Sequence, residues 1–221
     1  MTVTVHSRDG WGRYIVTVKS RKIKDISAEI LRMGLAWYYK EYQIFVFLLY
    51  CNSLNHLSMK VIFETMSVDH RQAVMDIYNY YVDNSLAAYP DDVLPYEYYE
   101  KFLDMTKCYP AYVIKENDEI VGFCLLHAYN PFPTFKQCAE ISYFIDKDHT
   151  GKGLGTMALK KLEEDALKVG IQTILANISS VNTKSIDFHK KNGFVECGRF
   201  QKIITKKGSP YDIIWMQKTL E

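Results

Sequence analysis

Three glycines, Gly151, Gly153 and Gly155, fall within five positions directly ahead of an amphipathic stretch of sequence. Backbone N–H groups that converge at a helix N-terminus bind phosphate, and glycines permit the unusual dihedrals and close approach that this requires. The loop matches neither the Walker pattern G-x-x-x-x-G-K-[ST] nor the dinucleotide pattern G-x-G-x-x-G. Because a short glycine signature alone is weak evidence, a phosphate cradle of another kind and a simple tight turn both stay open.

The residues after the loop predict a helix with one buried face. Its apolar positions recur every three or four residues and therefore share that face: Leu154, Ala158, Leu162, Ala166 and Val169. Lysines and glutamates occupy the opposite side. Gly170 then follows at the position where a left-handed C-terminal cap is expected.

The segment AEISYFID, directly before the loop, has the alternation of a strand. Alternation sends neighbouring side chains to opposite faces of a sheet. The two sets are Ile141, Tyr143 and Ile145 on one face, and Glu140, Ser142 and Phe144 on the other. Glu140 therefore lies at the start of the strand that leads into the glycine loop.

The wider chain changes character near residue 59, where a polar Asn/Ser/His cluster precedes a new strand-like run. From there the predicted order is strand KVIFETM, helices VDHRQAVMDIYNYYVDNS and PYEYYEKFLDMTK, strands AYVIKE, IVGFCLLHAYN and AEISYFID, and the glycine loop with its helix. Strand TILANIS, helix TKSIDFHKKN and two strands around KKGSP complete it. This alternation predicts an α/β domain over residues 59–221, preceded by a separate segment over residues 1–58.

Composition narrows the functional classes. The net charge of +1 gives no electrostatic reason to expect a nucleic-acid partner. The cysteines lack a CxxC pair or zinc-ligand spacing, so we expect neither a metal site nor a disulfide framework. The longest apolar run, residues 44–51, is far shorter than the roughly 20 residues that span a bilayer. We therefore expect a cytoplasmic protein without a membrane partner.

The segment ISYFIDKDHTGKGLGTMALKKLEEDALKVG, followed by NTKSIDFHKKNGFVECGRF, resembles the acetyl-CoA-binding core of the GNAT family of N-acetyltransferases. The resemblance covers roughly residues 60–221. It implies an α/β acyl-CoA N-acyltransferase fold, with a mixed, mostly antiparallel central sheet flanked by helices. Acetyl-CoA would be the co-substrate, held by Gly151, Lys152, Gly153, Gly155, Thr156 and Asn182. Thr150 departs from the family pattern, because Gln or Arg is usual there.

Within the family, the chain is most similar to the phosphinothricin acetyltransferase-like branch, through DIYNYYVDNSLAAY, YPAYVIKENDEIVGFCLL, AEISYFI and SIDFHKKNGF. That likeness implies a homodimer and a small amino-acid-like amine acceptor of the phosphinothricin or methionine sulfone/sulfoximine type. Tyr89 and Tyr211 match regions that line the acceptor pocket in this branch. Acetylation of protein N-termini or other amines, and a non-catalytic CoA-binding or nucleic-acid-associated module, are the alternatives.

The resemblance also implies catalytic roles. An amine is mostly protonated at neutral pH, so a base must remove a proton before it attacks the thioester, and Glu140 matches the branch's glutamate. His189 matches a residue proposed to protonate the leaving thiolate. The backbone groups of Phe144 and Ile145 are expected to splay from the next strand and bind the pantetheine arm, with a donor for the thioester oxygen.

Each assignment has a structural alternative. Glu140 could be a strand-end carboxylate paired with a nearby Lys or Arg. A lone helical histidine such as His189 is more often structural than catalytic. Asn182 could cap the helix that follows it as well as bind the cofactor.

The segment DGWGRYIVTVKSRKIKDISAEILRMGLAWYYKEY resembles the later part of staphylococcal-nuclease-like domains, in which a D-x-x-G-R turn, a strand and a helix ending in G-L-A-W-x-Y follow one another. Arg13 would match a catalytic arginine of that family. The segment covers less than half of such a domain, and so short a piece buries too little surface to be stable alone. We therefore predict a truncated, short α/β extension over residues 1–58 without nuclease activity.

Overall fold

The computed structural model describes residues 61–220 and, within the first 60 residues, the backbone of four strands. The chain divides into two compact units, Met1–Ser58 and Met59–Glu221. The first unit contains an antiparallel sheet formed by β1 (Thr2–Arg8), β2 (Tyr14–Lys19), β3 (Ala36–Tyr39) and β4 (Ile44–Leu49). The strand order in this sheet is β1-β2-β4-β3.

Strand β3 corrects one expectation for the first unit. The nuclease-like pattern places Ala36–Tyr39 at the end of a helix, whereas these residues pair with β4 as a strand. The aromatic run Trp-Tyr-Tyr favours a pleated, paired strand, which explains the difference. Arg13 and the residues between β2 and β3 lie outside the described part of the chain.

The second unit is built on a seven-stranded sheet with helices on both faces. Its strands are β5 (Val61–Thr65), β6 (Ala111–Glu116), β7 (Glu119–Ala128), β8 (Cys138–Ile145), β9 (Thr173–Ser179), β10 (Val195–Lys206) and β11 (Ser209–Thr219). Its helices are α1 (Arg71–Asn84), α2 (Tyr99–Met105), α3 (Leu154–Lys168) and α4 (Thr183–Lys191). The sheet order is β10-β11-β9-β8-β7-β6-β5, and β8 with β9 is a parallel pair in an otherwise antiparallel sheet. The predicted mixed, mostly antiparallel sheet is therefore confirmed.

Two apolar layers cover the two faces of this sheet. One layer packs the buried side chains of α3, together with Ile186 of α4, against the central strands. The other packs Val74, Met75 and Ile77 of α1 and Tyr99 of α2 against the opposite face. Strand β8 contributes side chains to both layers, so the segment that carries Glu140 lies in the middle of the fold.

Four of the five apolar residues predicted to share one face of helix α3 are buried. Leu154, Ala158, Leu162 and Ala166 are buried as predicted, but Val169 is 53% exposed. The helix ends one residue earlier, at Lys168, and Gly170 takes the predicted left-handed conformation with a φ of 84°. The N–H of Ile171 then bonds to the carbonyl of Ala166 at 2.9 Å, which closes a Schellman motif. Val169 therefore belongs to the cap, where the helical period no longer applies.

A buried lysine joins the end of α1 to strand β10. Lys206 is 1% exposed, and its Nζ donates to the carbonyls of Val82 and Ala88 at 2.7 Å and of Ser85 at 3.1 Å. Burial lowers the pKa of Lys206. Three hydrogen bonds offset the desolvation of the ammonium group and fix the residues that lead to Tyr89.

Replacing Lys206 by Met should lower the free energy of unfolding by about 2 kcal/mol, because three backbone carbonyls lose a buried donor. Guanidinium denaturation followed by circular dichroism measures this change. The matched control is Lys207→Met, because Lys207 donates from an exposed position to the carbonyl of Asp83. A Lys206→Met protein as stable as this control would show that the three hydrogen bonds contribute nothing net.

In the described part of the chain, no helix combines the length and the apolar character that a membrane span requires.

Candidate active site

The glycine loop has the backbone geometry of an anion cradle. Gly151 and Gly153 have φ values of 74° and 87°, and the space where a side chain would project from either is open. Gly153 is the residue before α3, and the first helical hydrogen bond runs from Met157 N to Gly153 O. The preceding N–H groups at the helix start are therefore free of helical partners, as phosphate binding requires. Lys152 and Thr156 are exposed beside them.

The third glycine, Gly155, lies in the first turn of α3 next to α4. A Cβ atom there would lie 3.5 Å from the ring of Phe188, an ordinary van der Waals contact, so packing against α4 does not require glycine at this position. Thr150, which departs from the family pattern, donates its hydroxyl to the carbonyl of Lys147 at 3.1 Å and so fixes the turn that leads into the loop.

Strands β8 and β9 separate beside this loop. Their parallel pairing runs from Cys138 with Thr173 to Glu140 with Leu175, and no pair follows in either described strand. Beyond Glu140 the edge of β8 that faces β9 has lost its strand partner. A gap thus opens between the central strands, as the resemblance to the family implied.

The phase of the β7–β8 ladder decides which backbone groups face this gap. Asp146 N donates to Val121 O at 2.8 Å, so the residues two apart along β8, including Phe144, direct their backbone groups to β7. The groups of Tyr143 and Ile145 therefore face β9. The geometry favours Tyr143 and Ile145, and not Phe144, as backbone partners of a ligand in the gap. The carbonyl of Ile145 also accepts a hydrogen bond from the hydroxyl of Tyr81 at 2.6 Å.

A cavity of about 760 Å³ extends from the glycine loop along this gap. Seven of the predicted site residues line it: Tyr89, Glu140, Phe144, Ile145, Gly151, Asn182 and His189. Five others do not: Lys152, Gly153, Gly155, Thr156 and Tyr211. A void of this size, with Gly151 of the glycine loop at one end and a carboxylate along its wall, fits an elongated phosphate-bearing ligand and a second, smaller reactant.

Glu140 is held at the wall of the cavity by Asn177, which is itself held by Tyr89. The amide Nδ2 of Asn177 donates to Oε1 of Glu140, and the hydroxyl of Tyr89 donates to Oδ1 of Asn177 at 2.6 Å. None of the ion pairs in the described residues involves Glu140, so the Lys or Arg partner of the structural alternative is not found there. The carboxylate keeps its second oxygen for a ligand.

The surroundings tune the acidity of this carboxyl. Burial raises the pKa of Glu140, while the charge of His127 and the hydrogen bond from Asn177 act to lower that pKa. Burial likewise raises the pKa of Tyr89, which keeps its hydroxyl a donor to Asn177. A carboxylate with a raised pKa is a better proton acceptor at neutral pH than an ordinary glutamate.

Asn177 is a site residue that the sequence reading missed. It lies on β9, and Leu175, two residues earlier, is the residue paired with Glu140. The available signal was a single amide side chain among the apolar residues at the centre of TILANIS.

His189 lies on the opposite side of β8 from Glu140 and is 3% exposed. Its Nδ1 lies 2.7 Å from the carbonyl of Ser185, and its Nε2 lies 2.9 Å from the hydroxyl of Tyr143. Burial lowers the pKa of His189, which favours the neutral imidazole. Both ring nitrogens therefore have partners within the protein, and Tyr143 is a second site residue that the sequence reading missed.

The two remaining predicted residues are placed as follows. Asn182 accepts a hydrogen bond from Ser185 N at 3.2 Å, so it caps α4 and also lines the cavity. Tyr211 on β11 is 5% exposed, and its hydroxyl has no hydrogen-bond partner among the described residues. The side chain of Tyr211 lies near that of Tyr89 but outside the cavity wall. The described residues contain no cluster of three or more His, Cys, Asp or Glu side chains that could hold a metal ion.

Comparison with known proteins agrees with this geometry. A model of the acetyltransferase (GNAT) family matches residues 74–194, more than half of the chain. The chain is 29% identical over 151 residues to the L-amino acid N-acyltransferase MnaT of Escherichia coli (strain K12), covering 67% of this chain and 88% of that protein. It is 28% identical, with the same coverage, to the L-methionine sulfoximine/L-methionine sulfone acetyltransferase of Salmonella typhimurium (strain LT2).

A solved structure shares the fold as well. The protein yncA of Salmonella typhimurium, determined with its cofactor acetyl-CoA, superposes with a TM-score of 0.69 at 26% identity, covering 73% of this chain and 95% of that one. The family match leaves residues 1–58 outside, and none of these findings supports the nuclease-like resemblance of that segment. The chain therefore belongs to the GNAT family, and it is an acetyl-CoA-dependent N-acetyltransferase.

Proposed function

We propose that this enzyme acetylates the amine of a small amino-acid-like acceptor of the phosphinothricin or methionine sulfone/sulfoximine type. The observation that carries the proposal is the position of Glu140, fixed by Asn177 on the wall of the cavity that reaches the glycine loop. Relatives named for L-amino acids and for methionine sulfoximine and sulfone support this acceptor class.

The residues present fit acetyl-CoA. The open, left-handed glycines Gly151 and Gly153 present N–H groups for the pyrophosphate, and the unpaired edge of β8 offers backbone groups of Tyr143 and Ile145 to the pantetheine arm. The bound thioester supplies an activated acetyl group. Lys152, Thr156 and Asn182 are proposed to contact the cofactor around its phosphates and arm.

Glu140 is the proposed general base. It takes a proton from the acceptor ammonium group, so that the neutral amine attacks the thioester carbon directly. The C–N bond forms, the C–S bond breaks, and CoA leaves as a thiolate that takes up the second amine proton. Tyr89 supports this step through Asn177, and Tyr89 and Tyr211 are the proposed contacts of the acceptor. None of the cysteines among the described residues lines the cavity, so the proposed transfer involves no acyl-cysteine.

The acceptor class is tested by comparing kcat/KM for methionine sulfone, methionine sulfoximine and phosphinothricin with that for short peptides and lysine. We expect the first group to be favoured by at least about 10-fold, a difference of about 1.4 kcal/mol in transition-state binding. A preference for peptides would instead support acetylation of protein N-termini.

Asn177→Ala should move the acid limb of kcat/KM to higher pH. Activity is lost as the pH falls through the pKa of Glu140, because the protonated carboxyl cannot accept the amine proton. Removing the Asn177 hydrogen bond removes an interaction that lowers this pKa, so the pKa rises further. Kinetics across pH measure the shift, with Asn130→Ala, in an exposed turn, as the matched control. An unchanged acid limb would show that Asn177 does not tune the base.

The proposal also covers the oligomeric state of the enzyme and the roles of the two parts of the chain. We propose a cytoplasmic homodimer, and the exposed apolar side chains Val195, Phe200 and Ile203 along the sheet-edge strand β10 support self-association. A net charge of +1 supports small-molecule partners over nucleic acid. Residues 59–221 are the proposed catalytic domain, and residues 1–58 a non-catalytic extension.

A further inference from the structure

A hydrogen-bonded chain of three residues runs along the cavity on the face of β8 opposite Glu140. It begins at the carbonyl of Ser185, passes through the imidazole of His189 and ends at the hydroxyl of Tyr143, and all three residues line the cavity. The rings of Tyr143 and His189 stack at 5.7 Å, and Phe194 packs edge-on against His189 at 4.8 Å. The imidazole cannot turn without disrupting this packing.

The carbonyl of Ser185 fixes the direction of the hydrogen bonds through His189 to Tyr143. A carbonyl oxygen only accepts, so at 2.7 Å from Ser185 O the Nδ1 atom of His189 must carry the proton. In a neutral imidazole the Nε2 atom is then an acceptor, and it accepts a hydrogen bond from the Tyr143 hydroxyl at 2.9 Å. Because its proton is donated to His189, the Tyr143 hydroxyl can only accept a hydrogen bond from a ligand.

Burial supports the same protonation states. Burial lowers the pKa of His189 and raises the pKa of Tyr143, so the imidazole is neutral and the phenol keeps its proton at neutral pH. A phenol with a raised pKa is a poor proton donor to a thiolate, whose ordinary pKa is about 8.5. His189 has no free N–H to offer the sulfur either.

We propose that the oxygen of Tyr143 is a hydrogen-bond acceptor for an amide N–H of the pantetheine arm, and that His189 is a positioning residue that turns the Tyr143 proton away from the ligand. The inference rests on the proposed function in that acetyl-CoA is the ligand of this cavity. It replaces the proton-relay role implied for His189 by a role in binding.

The first test is Tyr143→Phe, which removes only the hydroxyl. We expect the Kd of CoA, measured by calorimetry, and the KM for acetyl-CoA to rise about 5- to 10-fold, with kcat within about 2-fold of the original enzyme. The matched control is Tyr112→Phe, because the Tyr112 hydroxyl donates to Asp165 at 2.6 Å and lies outside the cavity wall. The control should leave Kd and KM unchanged.

Two results would overturn the proposal. A fall in kcat of more than about 20-fold with an unchanged Kd would make Tyr143 the proton donor to the sulfur. Unchanged Kd, KM and kcat would show that its hydroxyl meets no ligand. Because calorimetry reads CoA binding without any acceptor, an enzyme that turns over none of the proposed amines would refute the acceptor class but leave this test intact.

The second test reads the direction of the chain in the unmodified protein. Nitrogen-15 NMR of His189 should show the neutral tautomer protonated at Nδ1 at neutral pH, and Tyr143→Phe should leave Nδ1 protonated because Ser185 still accepts. A tautomer protonated at Nε2 would make Tyr143 Oη the acceptor for His189 and free its proton for the ligand, which contradicts the proposal.

Discussion

Replacing Glu140 by Gln is expected to lower kcat at neutral pH by about 100- to 1000-fold, the usual contribution of a positioned general base. Gln keeps the shape of the side chain and can still accept the hydrogen bond from Asn177 Nδ2. It cannot accept the ammonium proton of the acceptor. The enzyme must then use the small fraction of amine that is already neutral in solution.

The pH dependence separates this explanation from a loss of structure. The deficit of Glu140→Gln should narrow as the pH rises from about 8 toward about 10, because an α-amine has a lower pKa than a lysine-like amine and deprotonates without help in this range. Glu119→Gln is the matched control, because Glu119 is an exposed glutamate at the start of the neighbouring strand β7. Steady-state kinetics from about pH 6 to about pH 10 provide the comparison. If kcat of Glu140→Gln equals that of the control across this range, Glu140 is not the base.

Replacing Gly153 by Val should weaken acetyl-CoA binding about 100-fold, or about 2.7 kcal/mol. Gly153 has a φ of 87°, and a β-branched residue is strained in this region of backbone space. Relief of the strain rotates the peptide groups at the start of α3 away from the phosphate position. Losing one or two hydrogen bonds to a charged group, each contributing about 1.5–3 kcal/mol, accounts for the expected change.

Gly170→Val is the control that separates the loss of the phosphate site from the effect of backbone strain. Gly170 has a φ of 84° at the other end of the same helix, and the space beside it is equally open. Both variants should therefore lose similar stability, whereas Gly153→Val alone should lose affinity for acetyl-CoA in calorimetry. If the two variants bind acetyl-CoA equally well, the loop is a turn before a helix and not a phosphate cradle.

Local patterns predicted the elements that position the site. The periodicity of α3, the alternation of β8 and the left-handed Gly170 are confirmed because each depends on residues adjacent in the chain. The one wrong position in this helix also has a local cause. Val169 was predicted on the buried face, but the helix ends one residue earlier and Val169 is exposed. The sheet with a gap beside Glu140 agrees with the fold implied by the resemblance.

Interactions between strands set the details that the sequence could not provide. The assignment of Phe144 required the phase of the β7–β8 ladder, which the Asp146–Val121 hydrogen bond defines. Asn177 and Tyr143 became site residues through partners 37 and 46 positions away in the chain. No spacing rule within one element reports such pairs, and this is why both were missed.

Thiol release from acetyl-CoA, followed with and without an amine, shows whether the acetyl group passes directly to the acceptor within one cavity. We expect thiol to appear only when an acceptor such as methionine sulfone is present, one equivalent for each acetylated amine, with no acetylated protein detectable by mass spectrometry. Tight binding of acetyl-CoA without amine-dependent thiol release for any acceptor in the panel would show that this cavity does not carry out direct transfer to such amines.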